Sequence, residues 1–133
     1  MSVVVDSSVL VAALVDTGPH GAWSEEILET GSLHTPELAR AEATNILRRL
    51  ERAKQITTAE ANAAHDDLVQ LNLELFAFDP FAERIWKLRH TVTSYDAWYV
   101  AVAESLKLPL ATLDVKLSKA KGPTCDFLTP SSQ

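Results

Sequence analysis

Residues 3–14 read VVVDSSVLVAAL, a stretch in which a single acid, Asp6, separates three valines from a second apolar segment. A short run of valines predicts a buried β-strand, and the nearly all-apolar segment from Ser7 to Val15 predicts a buried helix. Aspartate is rarely fully buried unless it is paired, although it is a good N-cap for a helix. Asp6 is therefore either a cap at a strand-to-helix junction or a functional group at the edge of a sheet.

The rest of the chain continues this alternation of strands and helices. We predict further strands over residues 33–35, 73–78, 110–113 and 125–128, with helices over residues 23–29, 36–54, 57–71, 79–89, 93–107 and 114–121. Such alternation indicates a parallel sheet covered by helices on both faces. The predicted fold class is α/β, with a single domain over residues 1–128 and a frayed tail over residues 129–133. In sheets of this kind, sites form beyond the carboxyl ends of the strands.

The composition limits the classes of function to be considered. Of the 133 residues, 47% are hydrophobic and 23% are charged, as is typical of a globular protein. The net charge of −6 argues against binding of nucleic acid through a general basic surface, but not against an enzyme whose cations offset its acids. Cys125 is the only cysteine, which excludes an internal disulfide and a thiolate-based zinc site. We expect a cytoplasmic protein without a signal peptide or a membrane span.

Four acids occupy strand ends and helix starts of the predicted fold. Asp6 and Asp114 directly follow two of the strands, Asp96 lies in the first turn of a helix, and Glu42 lies near the start of another. Each has a simpler interpretation, since aspartate caps helices and an acid in a first helical turn is favoured by the helix dipole. Strand ends and helix starts share one rim of a doubly wound sheet, however, so all four acids can converge there. Asp79, which precedes a proline, is instead predicted to be a structural cap.

Converging carboxylates repel one another and need a cation to stay ionised. Mg²⁺ and Mn²⁺ prefer carboxylate and water oxygens, and ions held in this way suit phosphodiester hydrolysis. The chain has no GxGxxG, GxxxxGK[ST] or GxSxG motif, and its four histidines lack ligand spacing. A phospho-acceptor signalling module is a weaker alternative, because it needs an acid pair after the first strand and only Asp6 stands there.

Three segments resemble PIN-domain ribonucleases: VVVDSSVLVAAL, TPELARAEATNILRRL and TSYDAWYVAVAESLKLPLATLDVKLSKA, which begin at residues 3, 35 and 93. The resemblance extends from residue 3 to about residue 128 and is strongest to the toxins of VapBC-type toxin–antitoxin modules. It implies a three-layer α/β/α sandwich with a central parallel five-stranded sheet. It also implies a quartet of catalytic and metal-binding acids, which falls on Asp6, Glu42, Asp96 and Asp114.

The same resemblance implies the activity and the partners. The reaction would be Mg²⁺- or Mn²⁺-dependent cleavage of RNA, with Asp6 and Asp96 as direct metal ligands and the other two acids completing the metal cage. Thr112 would support the last aspartate, and Asn45 matches a position that is frequently polar. The partners would be an RNA substrate and a cognate antitoxin whose tail covers the site, and the protein would form a homodimer.

Two further points concern the biological role and the contact with the substrate. An RNA-processing nuclease without a toxin role fits the same residues, since only a neighbouring antitoxin gene would distinguish the two. Most lysines and arginines are predicted to lie on solvated faces. Lys116 is the basic residue nearest to the predicted acidic site, and we predict that it contacts a substrate phosphate.

Overall fold

Five short strands and seven α-helices make up the computed structural model, which describes residues 1–130; residues 131–133, the end of the predicted frayed tail, lie outside the described part. In chain order the elements are β1 (Val3–Val5), α1 (Ser7–Val15), α2 (Pro19–Leu28), β2 (Leu33–Pro36), α3 (Ala39–Arg52), α4 (Thr58–Gln70), β3 (Leu73–Phe76), α5 (Ala82–Lys87), α6 (Ser94–Leu106), β4 (Leu110–Ala111), α7 (Val115–Ser118) and β5 (Phe127–Leu128). A 3-10 helix (Asp79–Phe81) precedes α5.

The five strands form one sheet with the order β3-β2-β1-β4-β5, and every adjacent pair is parallel. Val4 of the central strand pairs with His34 of β2 on one side and with Leu110 of β4 on the other. The chain adds β2 and β3 on one side of β1 before it adds β4 and β5 on the other. The topological switch point therefore lies between β1 and β4. These findings confirm the predicted α/β class with a central parallel five-stranded sheet.

Helices cover both faces of this sheet. Helix α6 packs across β1, β2 and β4, while α1 packs with α2, α3 and α4. Because connections between parallel strands are right-handed, the reversal of direction after β3 places these two groups of helices on opposite faces. The side chains of Val3, Val4 and Val5 are fully buried between them. None of the helices in residues 1–130 has the length and the apolar character needed to cross a membrane.

Helix α2 begins at Pro19, four residues before the predicted start at Trp23. Gly21 precedes the predicted start of this helix, but it is buried in the first turn of α2. A Cβ at this position would lie 1.8 Å from the main-chain oxygen of Asp16. The prediction is wrong because Gly21 allows the start of α2 to approach the end of α1, a tertiary requirement that a local pattern does not reveal.

Two further boundaries differ from the sequence prediction. Pro36 is predicted to open α3, but it is the last residue of β2 and pairs with Phe76 of β3. Asp79 is predicted to be a side-chain cap, but it lies inside the 3-10 helix, which has no side-chain capping bond. Phe78 already has helical backbone angles, φ −69° and ψ −43°, so the chain turns one residue before Asp79.

An ion pair joins α5 to α6, and its carboxylate also binds the segment before β5. Arg84 donates from Nε and Nη2 to the two carboxylate oxygens of Glu104, at 2.7 and 3.0 Å. Thr124 donates to Oε2 of the same carboxylate from its main-chain nitrogen, at 2.7 Å, and from its hydroxyl, at 3.0 Å. Burial alone would raise the pKa of Glu104, but the hydrogen bonds from Arg84 and Thr124 outweigh it and hold the pKa below its ordinary value.

Replacement of Glu104 by alanine is expected to lower the free energy of unfolding by about 1.5–3 kcal/mol, because it removes the charged acceptor of two Arg84 hydrogen bonds. A lowered pKa stabilises the fold above the unfolded-state value of 4.5, and that stabilisation is lost as the pH falls through the folded-state pKa. The difference between the wild type and Glu104→Ala should therefore shrink below pH 4.5. Urea unfolding as a function of pH measures it.

Glu83→Ala is the matched control, because the Glu83 side chain is 87% exposed and pairs only with Lys87 on the surface, at 3.5 Å. We expect it to change stability by less than about 0.5 kcal/mol. Equal unfolding free energies for Glu104→Ala and the wild type at pH 7 would contradict a stabilising role of this ion pair.

Candidate functional site

Asp6 combines a capping role with a free acceptor position. Its Oδ1 atom accepts hydrogen bonds from the main-chain nitrogen of Val9, at 3.1 Å, and from the hydroxyl of Ser8, at 2.6 Å. Its Oδ2 atom accepts one from the hydroxyl of Thr112. Since a carboxylate oxygen has about two acceptor positions, Oδ1 is filled and Oδ2 retains one. The predicted N-cap is confirmed, and the second oxygen remains available to a ligand.

Burial of Asp6 works against its charge. The residue is only 8% exposed, and this desolvation raises the pKa of its carboxyl, although hydrogen bonds from Ser8, Thr112 and Val9 oppose the shift. A carboxylate in this position is therefore costly to keep ionised in the absence of a cation.

Thr112 and Ser8 join the ends of β1 and β4 at the switch point. The Thr112 hydroxyl, which donates to Asp6, accepts a hydrogen bond from the main-chain nitrogen of Asp114 at 3.0 Å. The Ser8 hydroxyl similarly accepts one from the main-chain nitrogen of Leu113 at 3.2 Å. Asp114 in turn caps α7, since its Oδ1 accepts from the nitrogen of Leu117 at 3.1 Å. The positions of Asp6 and Asp114 are thus set by one continuous network.

Asp96 faces the other three acids. Thr93 caps α6 by accepting a hydrogen bond from the main-chain nitrogen of Asp96 at 3.1 Å, so the carboxylate of Asp96 itself has no capping role. Burial raises the pKa of this carboxyl, and the negative charges of Asp114, Asp6 and Glu42 raise it further. The four acids named by the sequence analysis therefore interact electrostatically at one rim of the sheet.

Glu42 is held by a residue that the sequence analysis did not assign to the site. The hydroxyl of Tyr99 on α6 donates to Oε1 of Glu42 on α3 at 2.5 Å. Tyr99 is 2% exposed. Burial raises the pKa of Tyr99, and the bond to Glu42 raises it further, so the phenol remains a donor. Tyr99 lies three residues after Asp96 on a buried face of the helix, and this spacing could have identified it as a site residue.

The other two sequence-predicted residues lie apart from this network. Asn45 is exposed and lines an open groove between α3 and α4 together with Arg40, Thr44 and Arg48. Lys116 is exposed on α7, two residues beyond Asp114. Within residues 1–130, no hydrogen bond or ion pair joins either side chain to the four acids. Both roles therefore stay predictions.

The chemistry of the acids fits a hard divalent cation. In residues 1–130 no three His, Cys, Asp or Glu side chains are grouped closely enough to hold an ion by themselves. Mg²⁺, however, is usually held by one or two carboxylates and keeps several water ligands. Asp6 and Asp96 are the best placed to bind such a cation. Asp6 has a free acceptor position on Oδ2, and the carboxylate of Asp96 caps no helix and is affected by three like charges.

Comparison with known proteins agrees with this fold. The family model for the PIN domain matches residues 3–123. Ribonuclease VapC1 of Mycobacterium tuberculosis (strain ATCC 25618 / H37Rv) is 37% identical over 125 residues, which cover 93% of this chain and 94% of that protein. The chain therefore belongs to the PIN-domain family and, within it, to the VapC ribonucleases. Nucleases of this kind are generally dependent on a divalent metal ion.

Solved structures support the same assignment. FitAcB from Neisseria gonorrhoeae has a TM-score of 0.70 at 21% identity, over 96% of this chain and 97% of that chain, which shows the fold. VapBC-5 from Mycobacterium tuberculosis, a member of the VapBC family of toxin–antitoxin systems, has a TM-score of 0.59 at 25% identity, over 96% of both chains.

Removal of one site charge should stabilise the metal-free protein. Asp96 has a raised folded-state pKa, so its contribution to stability is complete below the unfolded-state value of 3.8 and is lost as the pH rises through the folded-state pKa. In EDTA at pH 7, Asp96→Asn should unfold a few degrees above the wild type, and the gap should close as the pH approaches 3.8. Thermal unfolding by circular dichroism measures this, and a lower midpoint for the variant at pH 7 would contradict it.

Loss of the Tyr99 hydroxyl should weaken the site without unfolding the protein. Tyr99→Phe keeps the buried ring and removes only the donor to Glu42. Loss of partners that orient metal ligands typically lowers metal affinity or activity by 10- to 100-fold, and we expect a loss of about 10-fold in the affinity for Mn²⁺. Isothermal titration calorimetry measures it; an affinity equal to that of the wild type, with an unchanged circular dichroism spectrum, would show that Tyr99 only fills the core.

Proposed function

We propose that this chain is an endoribonuclease that hydrolyses RNA phosphodiester bonds at the rim formed by Asp6, Glu42, Asp96 and Asp114. The observation that supports this site best is the position of Asp96, whose carboxyl has a pKa raised by burial and by the three other acids. A group of carboxylates that is costly to maintain in the absence of a cation is best explained by a site that binds one.

Each acid has a distinct task in this proposal. Asp6 and Asp96 would hold the cation, since Oδ2 of Asp6 retains an acceptor position and the carboxylate of Asp96 has no capping role. Glu42, positioned by the 2.5 Å hydrogen bond from Tyr99, and Asp114, whose Oδ2 is not used in capping α7, orient the attacking water and complete the anionic pocket. A divalent cation held there would supply the positive charge that activates water and stabilises the phosphate.

We propose Mg²⁺ as the ion, with Mn²⁺ as a substitute. The four carboxylates offer only oxygen donors, which suit both of these ions. Lys116, exposed just beyond Asp114 on α7, is our candidate for a contact with a substrate phosphate, and Asn45 on α3 is a candidate for a supporting polar contact.

The biological role that we infer is that of a toxin. VapBC-5, which matches this chain over 96% of its length, belongs to a family of toxin–antitoxin systems, and VapC1 is a ribonuclease. A cognate antitoxin that covers the acidic rim, and a homodimer of this chain, are parts of the proposal. RNA and an antitoxin are both met in the cytoplasm, which is where we place the protein.

Cleavage of RNA tests the proposal directly. The purified protein should cleave total cellular RNA with Mg²⁺ or Mn²⁺ and should be inactive in EDTA. Separate variants Asp6→Asn and Asp96→Asn should each lose at least about 100-fold in rate, because each removes a ligand of the cation. Gel analysis with mapping of the cleavage ends measures this.

Asp79→Asn is the matched control, because Asp79 is an exposed acid without a capping bond in the 3-10 helix. It should cleave RNA at the wild-type rate. Full activity of the wild type in EDTA, or of either site variant with metal, would refute the proposed site.

A further inference from the structure

Three aromatic side chains are strongly exposed in the described part of the chain, and one of them lies at the acidic rim. The exposed fractions are 42% for Phe78, 65% for Trp86 and 61% for Tyr95. Tyr95 directly precedes Asp96 in the first turn of α6. A single exposed apolar residue needs no functional explanation by itself, so the position and the surroundings of each ring decide whether it is available to a ligand.

Of these three exposed rings, only that of Tyr95 makes no contact with another ring or with a cation in the described residues. Phe78 packs edge-on against Trp98, with ring centroids 5.5 Å apart. The face of Trp86 is covered by the guanidinium of Arg89, 4.2 Å from the ring centroid. Within residues 1–130, Tyr95 forms neither a ring–ring nor a cation–ring contact, and its hydroxyl forms no hydrogen bond.

The helix geometry directs Tyr95 toward the site. Residues four apart lie on one face of a helix, one turn above each other, so Tyr95 lies one turn above Tyr99. Tyr99 reaches Glu42 on α3. Tyr95 therefore lies on the amino-terminal, solvent-exposed side of Tyr99, at the rim where α6 begins and next to Asp96.

The charge of the site explains why the contact is aromatic. A lysine or arginine beside Asp96 would pair with the acids and compete with the cation that they bind. A neutral ring leaves their charge intact and can still hold a nucleic acid, because every base has a π-face that stacks on an aromatic side chain. With a net charge of −6, the protein benefits from a contact with RNA that does not depend on phosphate.

We propose that Tyr95 is a stacking platform for a base of single-stranded RNA next to the bond that is cleaved. This inference rests on the proposed nuclease function and adds to it a requirement for an unpaired base at the site. A base within a duplex is stacked on its neighbours and cannot reach the ring. A substrate with an unpaired nucleotide at the cleavage position is therefore preferred.

The test is binding of a 5′-fluorescein-labelled single-stranded 12-nucleotide RNA, followed by fluorescence anisotropy with Mg²⁺ in the Asp114→Asn background, which keeps the proposed cation ligands Asp6 and Asp96 and is expected to cleave slowly. Alanine replacement of a base-stacking aromatic typically weakens binding by about 5- to 150-fold, and we expect a loss in this range for Tyr95→Ala. Tyr95→Phe keeps the ring and should bind within about twofold of the parent, as should Trp86→Ala, the control at an equally exposed aromatic.

A second set of probes separates base stacking from contact with the backbone. The same oligonucleotide is prepared with an abasic residue at each position in turn. In the parent protein one abasic position should weaken binding, and in Tyr95→Ala that position should cause no further loss. Wild-type affinity of Tyr95→Ala, an equal loss in Tyr95→Phe or Trp86→Ala, or additive losses with every abasic probe would each overturn the stacking role.

The nuclease proposal is read separately, from cleavage by the wild-type protein. If the wild type cleaves RNA with Mg²⁺ while Tyr95→Ala binds normally, only the stacking role fails. If the wild type neither binds nor cleaves RNA, both proposals fail.

Discussion

The hydrogen bond from the Thr112 hydroxyl to the Asp6 carboxylate is the contact on which the rest of the site depends. It joins the end of β4 to the end of the central strand β1, at the point where the strand order reverses. A buried carboxylate is tolerated only when its oxygens are hydrogen bonded, and Thr112, Ser8 and Val9 supply those bonds. The same hydroxyl also accepts a hydrogen bond from the main-chain nitrogen of Asp114. Support of the buried acid and placement of the second acid are therefore one structural event.

This arrangement opposes stability to function. Burial raises the pKa of Asp6, and burial together with like charges raises that of Asp96, so the ionised site weakens the fold that carries it. Helix starts reduce this cost, because the amino end of a helix favours negative charge and Asp6 and Asp96 lie at the starts of α1 and α6. A site that costs stability when empty binds its cation more strongly, since binding removes the repulsion.

The sequence predicts the sheet and the four acids because both follow from local patterns. The hydrophobic periodicity of strands and helices is visible in short segments of sequence, and the carboxyl ends of parallel strands lie at one rim of the sheet. What the sequence analysis misses depends on contacts between distant segments. The early start of α2 depends on the close approach of Gly21 to the main chain of Asp16. The role of Tyr99 depends on its hydrogen bond to Glu42, which lies 57 residues away in the sequence. A one-residue change of backbone angles at Phe78 likewise removes the predicted cap at Asp79.

Two arginines of the chain form structural hydrogen bonds, which limits the basic groups that an acidic protein can use to bind RNA. Arg84 is engaged by Glu104 and by the main chain of Gly122. Arg40 donates to the main-chain oxygens of Leu68 and Leu71 at the end of α4. Neither side chain is free to form part of a broad basic surface. Affinity for a polyanion can then come from the cation at the acidic rim, from single basic side chains such as Lys116, and from uncharged contacts around the site. Binding of metal and binding of substrate are consequently coupled, because an ion that offsets the negative charge of the acidic rim also removes its repulsion of the phosphate.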